Sequence, residues 1–273
     1  MYCYRCGQEL RAGWVKCYSC GAKIVNPEAA IQVRRLKVGM VERMRLWWSR
    51  NGPAGAVRQN KWRVKQRGAT GAVHVPKLAQ VPQGASLVAL IDCETTGMAR
   101  EDQLIALAIL LAAHREGEIL GVVDDFYGLQ EPTVAISAEA SSVNGLTIAE
   151  LKGRALDRER AGAILERAER LIAHNAGFDR RYLYRHFPEV LERPWHCSAH
   201  HIRWKDEGYR NGRLSTLAGG EIEHHAYGDA LTLLEVLNRR DGEDRTYLAR
   251  LLDRGPMAPP SWRPGAILPP PAK

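Results

Sequence analysis

A chain of 273 residues, 45% hydrophobic and 26% charged, has the balance of a globular protein, which excludes a fibre or a wholly disordered chain. The longest apolar run, Leu104 to Ala113, is about half of the ~20 residues that a membrane-spanning helix needs. The start MYCYRCG lacks the charged-then-apolar layout of a signal peptide, so a cytoplasmic location is expected. The net charge of +8 is unevenly spread: residues 1–25 hold four Lys/Arg against one acid, residues 26–84 hold twelve against two, and the rest of the chain is net acidic. That split reads as a polyanion-binding arm attached to a separate domain.

Four of the six cysteines lie in the first twenty residues, as Cys3-x2-Cys6 and Cys17-x2-Cys20. Four thiolates so spaced suit one tetrahedral Zn²⁺, and Gly7 and Gly21 permit the tight turns that aim backbone amides at sulfur. Disulfides are the competing reading, but they belong to secreted chains. Residues 1–25 are therefore expected to form a zinc ribbon whose folding free energy comes mostly from the metal.

Residues 26–84 are expected to be a basic amphipathic helix followed by a linker. Val33, Leu36, Met40, Met44 and Trp47 recur at steps of three and four as far as Asn51-Gly52-Pro53, after which the pattern dissolves into Gly, Pro, Ala and basic residues. Packing against a neighbour and binding of nucleic acid or a protein partner both fit this helix, with Trp47, Trp48 and Trp62 available to stack on bases. Attachment to a membrane surface is a weaker third reading.

From Ser86 the signals alternate. Residues 86–92, 103–114 and 119–129 read as three consecutive strands, residues 158–171 as a helix and 171–175 as another buried strand. Helices follow over 176–187, 226–240 and 244–254. This order predicts an α/β domain over 85–254 with a mixed sheet. Residues 255–273 hold seven prolines and read as an extended, disordered tail, with docking of a partner as the alternative.

The chemistry-bearing residues begin at VALIDCETTG, an apolar strand that ends in Asp92 and Glu94. Side chains alternate along a strand, so the two acids share a face and Cys93 points to the other, toward core packing. Two like charges ~4 Å apart repel by about 4 kcal/mol at an effective dielectric of ~20. A solvated turn, a raised pKa, a basic neighbour or a metal ion would offset that cost. In LIAHNAGFDRRYL a buried strand turns through His174 and Asn175 and places Asp179 in the first turn of a helix; in HHAYGDALTLLEVL, Asp229 opens another, with His224 five residues earlier. Taken singly, Asp179 and Asp229 are acids favoured by a helix dipole. His196, Cys197, His200 and His201 lack the spacing of a second zinc site and read as a polar helix face.

The ordered motifs D-x-E, HNxxFD and HxAxxD resemble those of the DEDDh family of 3′–5′ exonucleases, which includes the proofreading epsilon subunit of bacterial DNA polymerase III. The resemblance covers about residues 86–240 and implies a ribonuclease H-like fold. Residues 137–153 also look like the segment before the family's second motif, with Asn144 where a histidine is common. Residues 195–219 fit, more loosely, the family's helix and LSTLA-like segment. The resemblance implies two Mg²⁺ or Mn²⁺ ions held by Asp92, Glu94, Asp179 and Asp229, with Asp92 bridging both and Asp179 acting partly through water. It implies that His224 takes a proton from the attacking water, and that Thr95, Thr96 and Asn175 line the pocket for the terminal nucleotide. Four carboxylates suit such hard ions on chemical grounds as well. The expected substrate is a single-stranded or frayed 3′ end, DNA ahead of RNA. An exoribonuclease is a rival, and so is an adapter whose ribbon and basic arm dock a polymerase or other partner, with the nuclease fold as a binding platform; the ribbon and the Pro-rich tail are the candidate docking segments for a protein partner.

Overall fold

Leu104–Ala113, apolar on both faces, is buried throughout as the second strand of a five-stranded sheet. The computed structural model describes residues 75–220 and 224–260, all within the unit Lys61–Lys273. The four-cysteine segment, the basic amphipathic helix, the linker up to residue 74 and the proline-rich end from residue 261 lie outside the described residues.

The strands are β1 (Ser86–Thr95), β2 (Leu104–Arg115), β3 (Glu118–Leu129), β4 (Arg170–Ala173) and β5 (Trp195–Cys197), in the spatial order β3-β2-β1-β4-β5. β1, β2 and β3 form an antiparallel meander, whereas β4 runs parallel to β1 and β5 parallel to β4. The helices are α1 (Ala138–Asn144), α2 (Ile148–Leu151), α3 (Arg158–Arg167), α4 (Ala176–Leu183), α5 (Ser198–His201), α6 (Leu214–Ala218), α7 (Ala226–Leu237) and α8 (Tyr247–Asp253). Both faces of the sheet are covered, which explains why its central strands are near-continuous apolar runs. Ala89, Ile91 and Cys93 of β1 pack with residues of α3 and α4, while Val88 and Leu90 pack with residues of α7 and α8.

The three antiparallel strands occur where expected, with β1 running three residues further, so that Asp92 and Glu94 belong to the strand itself. The helix expected over 158–171 stops earlier. Ala168 takes an extended conformation, and Arg170–Ala173 pair with Val88–Ile91 because parallel pairing to β1 buries Leu171, Ile172 and Ala173 completely. Trp195–Cys197 is a buried strand, not part of a helix, so His196 and Cys197 lie in the core instead of on a polar helix face. His196 is fully buried, its Nδ1 3.2 Å from the Leu251 carbonyl.

Both sheet edges take up flanking chain. Leu78 donates to Val122 and Val122 to Pro76, each across 2.8 Å, so the end of the stretch read as linker borders β3. Gly121 permits that approach: a Cβ there would lie 2.6 Å from the Pro76 oxygen. On the other edge Met257 donates to Trp195 across 2.6 Å, which seats the start of the stretch read as a disordered tail.

Candidate active site

Asp92 and Glu94 stand on one face of β1, opposite Ala108 and Ala106 of β2, whose small side chains leave space above the sheet. α7 closes down on that face because Ala226 and Ala230, both fully buried, let its backbone approach. Its first turn carries Asp229, and carboxylate oxygens of Asp92, Glu94 and Asp229 all lie within 4.8 Å of one another. His224 precedes the helix, is exposed, and holds Nδ1 3.8 Å from Oδ2 of Asp229. Its neighbour His225 turns away and stacks on Tyr127, ring centroids 4.8 Å apart.

Asp179 arrives from the opposite face. Asn175 caps α4 in the left-handed region (φ 73°), which asparagine tolerates better than most residues, and thereby aims the first turn of the helix at β1. Asp179, 2% exposed, accepts the backbone N–H of Cys93 across 3.1 Å. Cys93 itself is core, as its place in the strand predicts.

The cluster is electrostatically loaded. Burial, then the charges of Asp179, Asp229 and Glu94, hold the Asp92 carboxyl well above the usual carboxylate range. Burial followed by Asp229 and Asp179 pushes Glu94 up to about 8, against a lowering hydrogen bond from Asn144. Burial alone moves Asp229 to about 7 and, against two backbone N–H groups, Asp179 to about 7. Among the described residues no arginine or lysine forms an ion pair with any of the four. An all-oxygen donor set, crowded and lacking a cation, fits a hard divalent ion.

The loop after β1 is latched from several sides. The Thr95 hydroxyl donates to the Gly97 carbonyl, the Thr96 hydroxyl donates to Asp102 across 2.7 Å, and Asp102 also accepts the Ala99 N–H. Thr95 and Thr96 are buried, so their hydroxyls shape the loop, while Asn175 is exposed and makes no capping bond. α1 is tied to the same strand end: Ser137 donates to the Thr96 carbonyl across 2.8 Å, and Asn144 Nδ2 lies 3.4 Å from the Thr95 carbonyl. Sequence reading missed the apolar side chains these elements expose, Met98 at 77% and Val143. A large apolar residue just after an acidic strand end is the signal that was there to find. The histidines at 196, 200 and 201 assemble no metal-capable group of three; Asp92, Glu94 and Asp229 form the one such group among the described residues.

A mixed five-stranded sheet flanked by helices, with carboxylates gathered at the end of its central strand, is a ribonuclease H-like fold. The chain belongs to the exonuclease family, whose model matches residues 89–237. That family acts with divalent metal ions. Similar solved structures include Exonuclease X in complex with 5′ overhanging duplex DNA, at 24% identity and TM-score 0.43 over 59% of this chain and 99% of that one. Apo Exonuclease I is similar at 16% identity and TM-score 0.43 over 56% of this chain and 41% of that one. E. coli Exonuclease I in complex with a 5cy-dT13 oligonucleotide is similar at 16% identity and TM-score 0.44 over 56% and 40%. The chain thus spans about two fifths of the length of Exonuclease I. No curated protein matches the sequence. No helix of the described residues is long and apolar enough to cross a membrane.

Proposed function

We propose that the chain is a 3′–5′ exonuclease that removes nucleoside 5′-monophosphates from nucleic-acid ends, DNA ahead of RNA, in the cytoplasm. The observation that supports it is the group Asp92, Glu94 and Asp229, within 4.8 Å and without an arginine or lysine partner among the described residues, in a chain of the exonuclease family.

In this reading Asp92, Glu94, Asp229 and Asp179 hold two Mg²⁺ or Mn²⁺ ions. Ions bound there would activate a water and neutralise the charge that builds on the scissile phosphate. The remaining work falls to the chain. His224 turns Nδ1 to Asp229, which leaves Nε2 to accept the proton of the attacking water. Asn144 donates to Glu94 and fixes its direction. The loop built on Thr95 and Thr96 presents its backbone, and the exposed Asn175 its amide, to the terminal nucleotide; Met98 and Val143 offer the base a non-polar surface.

The N-terminal third supports delivery. Cys3, Cys6, Cys17 and Cys20 are proposed to hold one structural Zn²⁺ in a ribbon over 1–25, and the basic arm over 26–84 to raise the local concentration of strand around the catalytic domain over 85–254. A protein partner through the ribbon or the Pro-rich end over 255–273 is part of the proposal.

The test is hydrolysis of end-labelled single-stranded DNA, duplex DNA and RNA by the full chain with Mg²⁺, with EDTA and Asp92→Ala as controls. Metal-dependent shortening of at least one substrate, lost in Asp92→Ala, is expected. Product from none of them leaves the adapter reading in place.

A further inference from the structure

One histidine beside the site fastens both ends of a surface loop. His174 directly follows Ala173, the β4 partner of Ile91, and so stands next to the end of β1 that bears Asp92. Its Nδ1 lies 2.8 Å from the Ser198 hydroxyl and its Nε2 2.8 Å from the Gly212 carbonyl. The loop between these anchors is filled by its own tryptophan. Trp204, 2% exposed, donates through Nε1 to the Ser198 carbonyl across 2.7 Å, and the Tyr209 N–H returns to the Trp204 carbonyl across 3.0 Å. Gly212 is required by this packing, since a Cβ there would meet Trp204 Cδ1 at 2.9 Å. The result is a short loop closed at its ends and packed within, the construction of a rigid Ω-loop.

Its outer surface is basic. Arg203, Lys205, Arg210 and Arg213 are exposed. The two acids of the loop are already engaged, Asp206 with Arg203 at 3.8 Å and Glu207 with Arg250 at 2.6 Å. Lys205, Arg210 and Arg213 have no ion-pair partner among the described residues. Cations held on a preformed loop lose little entropy when they meet an anion.

We propose that the loop Ser198–Arg213 is a phosphate-binding platform, on which Lys205, Arg210 and Arg213 hold the backbone of the nucleic-acid strand upstream of the end being processed. The proposal rests on the exonuclease reading for the identity of the polyanion. It assigns to His174 a positioning role, the fastening of the platform to the strand end that carries the acids.

The experiment is fluorescence anisotropy of a labelled 20-mer of thymidylate with the full chain in EDTA, across a salt series. The Lys205→Ala, Arg210→Ala, Arg213→Ala triple variant is expected to weaken Kd about tenfold, and to reduce the slope of log K against log salt by about 2, the value for three phosphate contacts on a single strand. A Lys205→Arg, Arg210→Lys, Arg213→Lys variant keeps the charges and is expected to keep the wild-type Kd and slope. Kd and slope unchanged in the alanine variant overturn the platform, as does loss of binding in both variants alike. Mg²⁺-dependent hydrolysis of the same 20-mer by the wild-type chain is followed in parallel. Its absence removes the exonuclease reading and leaves the binding comparison intact, so the two failures are separable.

Discussion

The backbone N–H of Cys93 donates to the carboxylate of Asp179 across 3.1 Å, joining the two faces of the central strand at one residue. Asp92 and Glu94 rise from β1 toward α7, and Asp179 descends from α4 on the far side, yet the charges of Asp179 and Asp229 both raise the Asp92 and Glu94 carboxyls, because the strand between them is one backbone thick. The rigidity of β1 thus becomes the rigidity of the carboxylate set.

That crowding sets a pH dependence for the metal-free chain. Glu94 is held at about 8, Asp179 and Asp229 at about 7, and Asp92 well above the usual carboxylate range, so the unfolded chain releases protons first and the stability these carboxyls contribute falls as pH rises from about 4 to 8. Asp92→Asn removes one charge. Its melting temperature at pH 8 in EDTA is expected to exceed the wild type's by about 5 °C, from ~2 kcal/mol of relieved repulsion, with the difference closing near pH 4. Scanning calorimetry at both pH values checks it, and Mn²⁺ is expected to raise the melting temperature of the wild type more than that of the variant.

His224 is exposed and Nδ1 faces Asp229, so its replacement leaves the core alone. His224→Ala is expected to lower kcat about a hundredfold, the worth of a positioned general base, with the melting temperature unchanged. Equal loss from His225→Ala, whose ring stacks on Tyr127, would mean that the wrong histidine carries the proton.

The three antiparallel strands and the acids were legible because each signal is local: apolar runs for doubly buried strands, D-x-E for two acids on one face. What brings Asp229 to Asp92 is not local. The order β3-β2-β1-β4-β5 places α4 and α7 on opposite faces of β1, and nothing within either helix states which strand it will cover. The apposition of Asn144 to Glu94 comes from a helix about fifty residues away in sequence. β5 was lost for a different reason: three residues are too few to display a period. The overrun of α3 shows the converse, a helical period that continues into Arg170 and Leu171 until pairing with β1 overrides it.

Gly97 has no room for a methyl group. A Cβ would lie 2.5 Å from Oδ2 of Asp102, the carboxylate that accepts from both Thr96 and Ala99. Gly97→Ala is expected to cost about 1–2 kcal/mol in urea unfolding and to lower activity by displacing that latch. Wild-type values for both would show that Asp102 moves aside freely.

Acid exposes a second titrating set. Burial, opposed at His174 by the Gly212 carbonyl and reinforced at His186 and His196 by nearby arginines, depresses each of the three to about 4. The unfolded chain therefore takes up protons first on acidification, so the stability these residues contribute is complete above pH 6.5 and is lost as pH falls from there to about 4. The two sets oppose each other between about pH 4 and 6.5, and above that only the slope of the acids remains, so the urea midpoint of the metal-free chain is expected to fall from about pH 6.5 to 8.

The most direct measurement follows a 5′-end-labelled single-stranded oligonucleotide with Mg²⁺ by gel and its released nucleotides by chromatography, for the wild type and for Asp92→Asn. The predicted result is a ladder shortening from the 3′ end with nucleoside 5′-monophosphates as product, abolished by EDTA and absent in Asp92→Asn. Hydrolysis that persists in EDTA or in Asp92→Asn would contradict a metal-dependent site built on the carboxylates at the end of β1.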